Sequence, residues 1–494
     1  MAMEKLRFDF NNMFSHAVGA RHGVTDKDLA AIAPGARKAL RHIKKLLANE
    51  KDRIHIGLEW TRLPYQDREH TAKLQRLGDE IASTYANVIS LGIGGSYLGL
   101  KAAQDALQLP YYNDFAQVRG GRPRIYFEGN NLDPETLTVL LKNLDPKNTF
   151  VIVISKSGET TEPKAAFTVI EEWLKTGVGR NYGRQIFAIT DPVSGALRRR
   201  VKEEQAKDPL SFRNLPVMKG VGGRFSELNI GLLHMAIIGV RVQDVLDGAA
   251  AMAERSLAGR LSDNPALMYA ALHTILYRKK NKSIAVMMPF SETLKSTADW
   301  YVQLLAESLG KKYSRTINAA KDGTEIWQAD LRKAVNVGRT PIPARGTNDL
   351  HSIQQNNIEG ENNKVVTFIR VDAFRHDIEL RGTGDFLAGR RFSKLLSVAE
   401  EATEWALVKE AKPNCTIIMP RVTPFAWGGL ILFFEMATAY EGELLNINAY
   451  DQLGVEGYKN YMYYKLQKPG IPGNIVKEIR ANPIKKKRKH IIYE

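Results

Sequence analysis

Apolar residues recur along this chain in two rhythms. Short, nearly unbroken runs of a strand's length alternate with longer stretches in which apolar positions return every three to four residues. NVISL, IYF, FVIVI and IFAI, beginning at Asn87, Ile125, Phe150 and Ile186, read as strands buried on both faces. SYLGLKAAQDAL, residues 133–144, KAAFTVIEEWLKT and GALRRRVKEEQ read as the helices that follow them in turn. Strands that alternate with helices at this spacing require right-handed crossovers and a parallel sheet covered on both sides. The rhythm returns in KSIAVMMPF, TADWYVQLLAESLGK, VVTFIRVD, CTIIMP and an apolar helix over 425–440. The expected class is therefore α/β, with two doubly wound parallel-sheet domains of three-layer α/β/α form. The first spans residues 82–255 and the second 256–470. A helical region, 1–81, precedes them, with turns at 23–26 and 33–35, and a basic tail, 471–494, follows. Residues 316–363, rich in Gly, Asn and Pro, read as a long irregular insert of the kind that often carries function.

Composition narrows the function classes. Hydrophobic residues make up 44% and charged residues 25% of 494, the balance of a globular protein. The net charge is +16, which suits anionic substrates and also nucleic acid. No basic motif interleaved with aromatics accompanies it, so nucleic acid is not an expected partner. Part of the charge sits in KKKRK, residues 485–489, and reads as a solvated terminus. Cys415 is the single cysteine, so neither an internal disulfide nor a Cys-based metal site is expected, and its apolar setting predicts a buried, inert thiol. The opening MAMEKLRFDF is charged, so no secretory signal is expected. The 425–440 segment is short for a membrane span and holds Glu435, which predicts a core helix. A cytoplasmic protein without membrane partners fits these features.

The chemistry concentrates at a few turns. In FVIVISKSGETTEP a buried strand runs into Ser155-Lys156-Ser157-Gly158-Glu159-Thr160-Thr161 and then a helix opening near Glu162-Pro163. Hydroxyls, backbone N–H groups and one lysine at a helix N-terminus favour an anion, and a phosphate fits best. LGIGGSYLG ends an earlier strand. Its spacing, Gly92-x-Gly94-Gly95-x-x-x-Gly99, is not that of a dinucleotide fold, but Gly95 and Ser96 suit a second contact to the same ligand. GVGGRFSELN places Arg224 after two glycines, ahead of a helix capped by Ser226, where a permanent cation suits a developing oxyanion. Gln303 and Glu307 share one face of a helix; Glu307 is either a partly desolvated base or a surface partner of Lys311. His351 lies in the irregular insert and is available for proton transfer. Gln452, Glu456 and Lys459 follow helical spacing, and Lys459 pairs with Glu456 by position alone. No HExxH or Cys/His cluster appears, so no metal and no other cofactor is expected.

Taken in order, LGIGGSYLG, SKSGETTEP, VGGRFS, QLLAESLGK, GTNDLHS and DQLGVEGYK resemble the glucose-6-phosphate isomerase (phosphoglucose isomerase) family, its bacterial-type members above all, built on sugar-isomerase (SIS) domains. The resemblance runs from about Asn87 to Lys459. It implies a homodimer that interconverts glucose 6-phosphate and fructose 6-phosphate without metal or redox cofactor. It also implies roles. Ser96, Ser155, Lys156, Ser157 and Thr160, with Gly95 and Gly158, contact phosphate and sugar, and Gln303 and Gln452 line the site. Glu307 moves a proton between C1 and C2, Arg224 faces the enediolate, and His351, from the partner subunit, and Lys459 open the ring. Glu159 departs from a phosphate-adapted turn unless its carboxylate points away. The competing expectations are a non-catalytic SIS sugar-phosphate sensor and another SIS sugar-phosphate isomerase.

Overall fold

The computed structural model describes residues 5–382 and 384–492. They form two compact units, Met1–Tyr450 and Asp451–Glu494. Twelve strands lie in the first unit: β1 Arg7–Asp9, β2 Asn87–Leu91, β3 Arg124–Glu128, β4 Thr149–Ile154, β5 Ile186–Thr190, β6 Arg213–Pro216, β7 Ile284–Pro289, β8 Lys311–Ala319, β9 Glu325–Val337, β10 Thr340–Pro343, β11 Lys364–Ala373 and β12 Asn414–Arg421. The first sheet is wholly parallel, in the order β3-β2-β4-β5-β6. The second runs β1-β12-β11-β7-β10 and is parallel except for its edge strand β1. The α/β expectation therefore holds. Every residue of β2, β4 and β5 is buried, as apolar runs covered on both faces require.

The helix Pro424–Leu445 crosses the interior of the unit, with all residues from Ala426 to Gly442 buried, Glu435 among them. Among the described residues no helix is long and apolar enough to cross a membrane. Cys415 is buried on β12, and burial pushes its thiol up to about 12.

Several expectations give way. The turn expected at 33–35 is absent, because Pro34 and Gly35 lie inside a continuous helix, Asp26–Ala48. Its face Ala36, Ala39, Leu40, Ile43 and Leu46 is buried, and this packing outweighs one missing backbone bond. A capping box between Thr25 and Asp28 starts that helix. Residues 316–363 are not an irregular insert. Strands β8 and β9 form a long antiparallel hairpin closed at Asp322-Gly323, and β10 follows on the second sheet. The helical N-terminal region also contributes a strand, β1, to β12.

In the second unit, the short turn Leu453–Val455 leads into the helix Glu456–Lys465, and a further helix covers Gly473–Ala481. The basic residues 485–489 are all exposed.

Candidate functional site

Strand order fixes where a ligand can sit. From β2 the chain goes to β3 on one side, then crosses to β4 on the other, so the connections diverge at the carboxyl ends of β2 and β4. In open α/β sheets the crevice at such a switch point is the binding position. Both turns singled out in the sequence stand there, Gly94–Ser96 after β2 and Ser155–Thr160 after β4.

The turn after β4 is prepared for an anion. Ser155 Oγ accepts from Gly158 N at 3.0 Å and Ser157 Oγ from Glu159 N at 3.1 Å, so each hydroxyl keeps its own hydrogen for another acceptor. Thr160 is the N-cap of the helix Thr161–Val178 but makes no capping bond through its side chain, which leaves first-turn N–H groups available. Gly158 has φ +72°, and a Cβ there would lie 2.4 Å from Leu197 N, so only glycine fits. Lys156 is exposed, with its carbonyl held by Asp191 N. The Glu159 carboxylate pairs with Lys164 at 3.2 Å, an interaction that offsets its charge.

The turn after β2 is built for contact. Gly95 is buried, and a Cβ there would lie 1.6 Å from Gly223 O. The Gly-Gly-Ser turn is thus pressed against the short helical turn Gly223–Phe225 that carries Arg224. Ser96 is half-buried beside it. Ser226 does not cap the next helix as expected; its hydroxyl donates back to Gly223 O at 2.6 Å and tightens the same turn.

Arg224 is only 2% exposed. Its Nε donates to Ser308 Oγ at 2.7 Å and its Nη2 to Ala449 O at 2.6 Å, while Nη1 reaches Glu307 Oε2 at 3.4 Å. Glu307 and Gln303 stand one turn apart on the helix Lys295–Leu309, and Gln303 Nε2 donates to Glu307 Oε1 at 3.2 Å. The Gln303 amide also abuts Gly94, whose ideal Cβ would lie 2.8 Å from Nε2. Gln303 Oε1 is buried without a donor among the described residues. Lys311 donates to the Glu307 main-chain oxygen at 2.6 Å. A guanidinium, a carboxylate and an amide with an open acceptor thus meet at the Gly-Gly-Ser turn.

His351 is not part of this group. It is exposed, on the turn Asn348–His351 after β10. Gly346 N donates to Pro289 O, and Arg345 pairs with Glu292, so this loop sits beside the start of the helix Lys295–Leu309. Glu307 lies twelve residues further along it, about 18 Å at 1.5 Å per residue. In the second unit, Lys459 Nζ donates to Glu456 Oε1 at 3.0 Å, the positional pair read from the sequence. Burial lowers the Lys459 pKa, but the Glu456 carboxylate outweighs it and holds the ammonium above its ordinary value. Gln452 precedes the turn Leu453–Val455. Among the described residues no three His, Cys, Asp or Glu side chains are grouped to hold a metal ion. Sequence reasoning passed over Ser308, which fixes Arg224, although it directly follows Glu307.

Two parallel doubly wound sheets, the first with its connections diverging at β2 and β4, define the class, an α/β protein of the SIS fold. A family model described as phosphoglucose isomerase matches residues 73–331 and 390–469, and the chain belongs to that family. Glu307, Arg224, Gln303, Gln452 and Lys459 fall within the matched residues, whereas His351 lies between the two segments. The chain is 36% identical over 472 residues to a glucose-6-phosphate isomerase of Carboxydothermus hydrogenoformans, covering 94% of this chain and 95% of that one. It is 32% identical over 477 residues to one of Acetivibrio thermocellus, covering 95% and 97%. A crystal structure of a hypothetical protein from Thermus thermophilus superposes with a TM-score of 0.76 at 31% identity, over 93% of this chain and 99% of that chain. One of a Chlamydia trachomatis glucose-6-phosphate isomerase gives a TM-score of 0.75 at 22% identity, over 97% and 92%, a likeness of fold.

Proposed function

We propose that this chain catalyses the reversible isomerisation of glucose 6-phosphate and fructose 6-phosphate, as a cytoplasmic homodimer. The observation that carries the reading is the convergence of Arg224, Glu307 and Gln303 on the Gly-Gly-Ser turn, next to the hydroxyl-lined turn at the same switch point. The phosphate binds the Ser155–Thr160 turn, held by Ser155, Ser157 and Thr160 hydroxyls, by N–H groups of the following helix and by Lys156. Gly158 lets the backbone close on it. Gly95 and Ser96 border the sugar, and a hydroxyl of the open-chain hexose donates to Gln303 Oε1. Gln452 is assigned a sugar contact by the family resemblance.

Ring opening comes first. One group protonates the ring oxygen while another removes the anomeric hydroxyl proton, the tasks of His351 and Lys459. Glu307 then takes the proton from the carbon next to the carbonyl, and a cis-enediolate forms. Arg224, already aligned by Ser308 and Ala449 O, lies against the developing oxygen charge and lowers its energy. Glu307 returns the proton to the neighbouring carbon, so no atom is gained or lost. Binding energy from the distant phosphate is spent on orientation at the reacting carbons. His351 lies on a loop beside the start of the helix Lys295–Leu309 and Glu307 near its far end, which supports the supply of His351 by the second subunit.

A coupled assay with fructose 6-phosphate tests the activity. Glu307→Gln is expected to lower kcat by about 10²–10⁴-fold while binding of a sugar phosphate stays within a few-fold. Undiminished turnover in that variant would remove the base role and favour a different isomerase, and absence of turnover in the wild type would favour a sensor.

A further inference from the structure

Two buried carboxyls beneath the site take no part in the proposed chemistry. Glu227, three residues after Arg224, is 0% exposed, and Glu435 on Pro424–Leu445 is 2% exposed. Trp300 Nε1 donates to Glu227 Oε1 at 2.6 Å. Trp300, Gln303 and Glu307 stand at successive turns of one helix, so whatever fixes the indole fixes the rotation of the base. Glu227 Oε2 finds no partner among the described residues, and the Glu435 carboxyl is the ionisable group that faces Glu227. Two ionised carboxylates cannot face each other in a dry interior, so a proton lies between them. Burial, and for Glu435 also the Glu227 charge, pushes both carboxyls up. A Cβ on Gly99 would lie 2.0 Å from Glu227 Cγ, so the helix Leu98–Leu107 packs flush against this carboxyl. The helices that carry the Gly-Gly-Ser turn, the Arg224 turn and Glu307 all close on Glu227.

We infer that Glu227 and Glu435 form a proton-sharing acid pair that clamps Trp300 and so aims Glu307 and Gln303 at the sugar; the inference rests on Glu307 as the base. They are positioning residues, and the reacting atoms touch neither. Removal should therefore lower kcat rather than loosen binding.

Glu227→Ala is expected to lower kcat by about 10–100-fold with KM within about threefold, because displacement of a base by about 1 Å has that scale of effect. Glu227→Gln should restore kcat to within about threefold, since its amide still accepts from Trp300 and donates to Glu435. If Glu227→Ala does not fold, Trp300→Phe keeps most of the volume and removes the N–H, and should lower kcat about 5–20-fold at constant KM. The infrared difference spectrum of the wild type against Glu435→Gln should contain a buried carboxylic-acid carbonyl band at neutral pH. Unchanged kcat in folded Glu227→Ala and Trp300→Phe, failure of Glu227→Gln to rescue, or absence of the band overturns the pair. The base reading fails separately, by turnover in Glu307→Gln.

Discussion

The two sheets share an architecture and use it differently. At the carboxyl edge of the first, β2 and β4 end in glycines and hydroxyls, with backbone N–H groups open to a ligand. At the carboxyl edge of the second, the equivalent space is closed by protein pairs: Arg345 with Glu292, and Asp349 with Arg345 N and Ser352. From the second half, the last turns of Lys295–Leu309 bring Gln303 and Glu307 to the first sheet's edge. In the proposed mechanism one layer holds the ligand, and the other delivers the reacting carboxylate along a helix. In that reading His351, at the second sheet's own edge, serves the site of the other subunit.

That division predicts a large and decisive effect. Glu307→Gln and His351→Ala subunits are each expected to be severely impaired alone. Co-expressed, they should recover roughly a quarter of wild-type activity, because half of random C₂ dimers are mixed and each has one intact site. If His351 served its own chain, mixing would recover nothing. Activity of purified mixed dimers, separated by tag, distinguishes the two.

The first sheet's edge can be tested alone. Ser155→Ala removes one hydroxyl donor to a charged oxygen and should raise KM by about 10–100-fold, equivalent to about 1.5–3 kcal/mol, with kcat changed less. The comparison sharpens if Ser352→Ala, at the second sheet's edge, leaves KM unchanged.

The legible parts share a property, that their signal is local. Strands β2, β4 and β5 announce themselves as apolar runs, and the hydroxyl turn and the Gln303–Glu307 face are contiguous patterns. What escaped depends on distant pairing. Strand β1 has three residues and exists only against β12. The β8–β9 hairpin is polar on much of both strands, so no alternation marks it, although Asp322-Gly323 was a hairpin turn signal in plain view. Pro34 looked like a helix end because local propensity disfavours it, and tertiary packing decided otherwise. Glu227 sat inside a quoted motif, yet nothing in its neighbours says that it is buried against Glu435, two hundred residues away. Sites built from turns are visible in sequence, and the groups that hold them steady are visible only in the packed interior.

The smallest effect falls in the second sheet's outer layer, at a buried carboxyl. Glu400, on the helix Phe392–Lys409, is buried against Thr416 Oγ1 at 3.4 Å with Arg370 at 3.7 Å. Burial pushes its carboxyl up to about 7, reinforced by the Glu404 charge and opposed by Arg370. Below the ordinary carboxylate range both folded and unfolded chains hold this proton. Between about 4.5 and 7 the unfolded chain releases it and the folded chain keeps it, so this group makes stability fall as pH rises through that window. Glu400→Gln cannot ionise and should be indifferent to pH there. Its Tm relative to wild type should therefore rise by about 2–3 °C between pH 4.5 and 7, the shift expected from about 2–3 kcal/mol in a chain of this length, with kcat unaltered. A constant Tm difference across that range would place the proton elsewhere, and a change in kcat would mean that the second sheet reaches the chemistry by more than its helix.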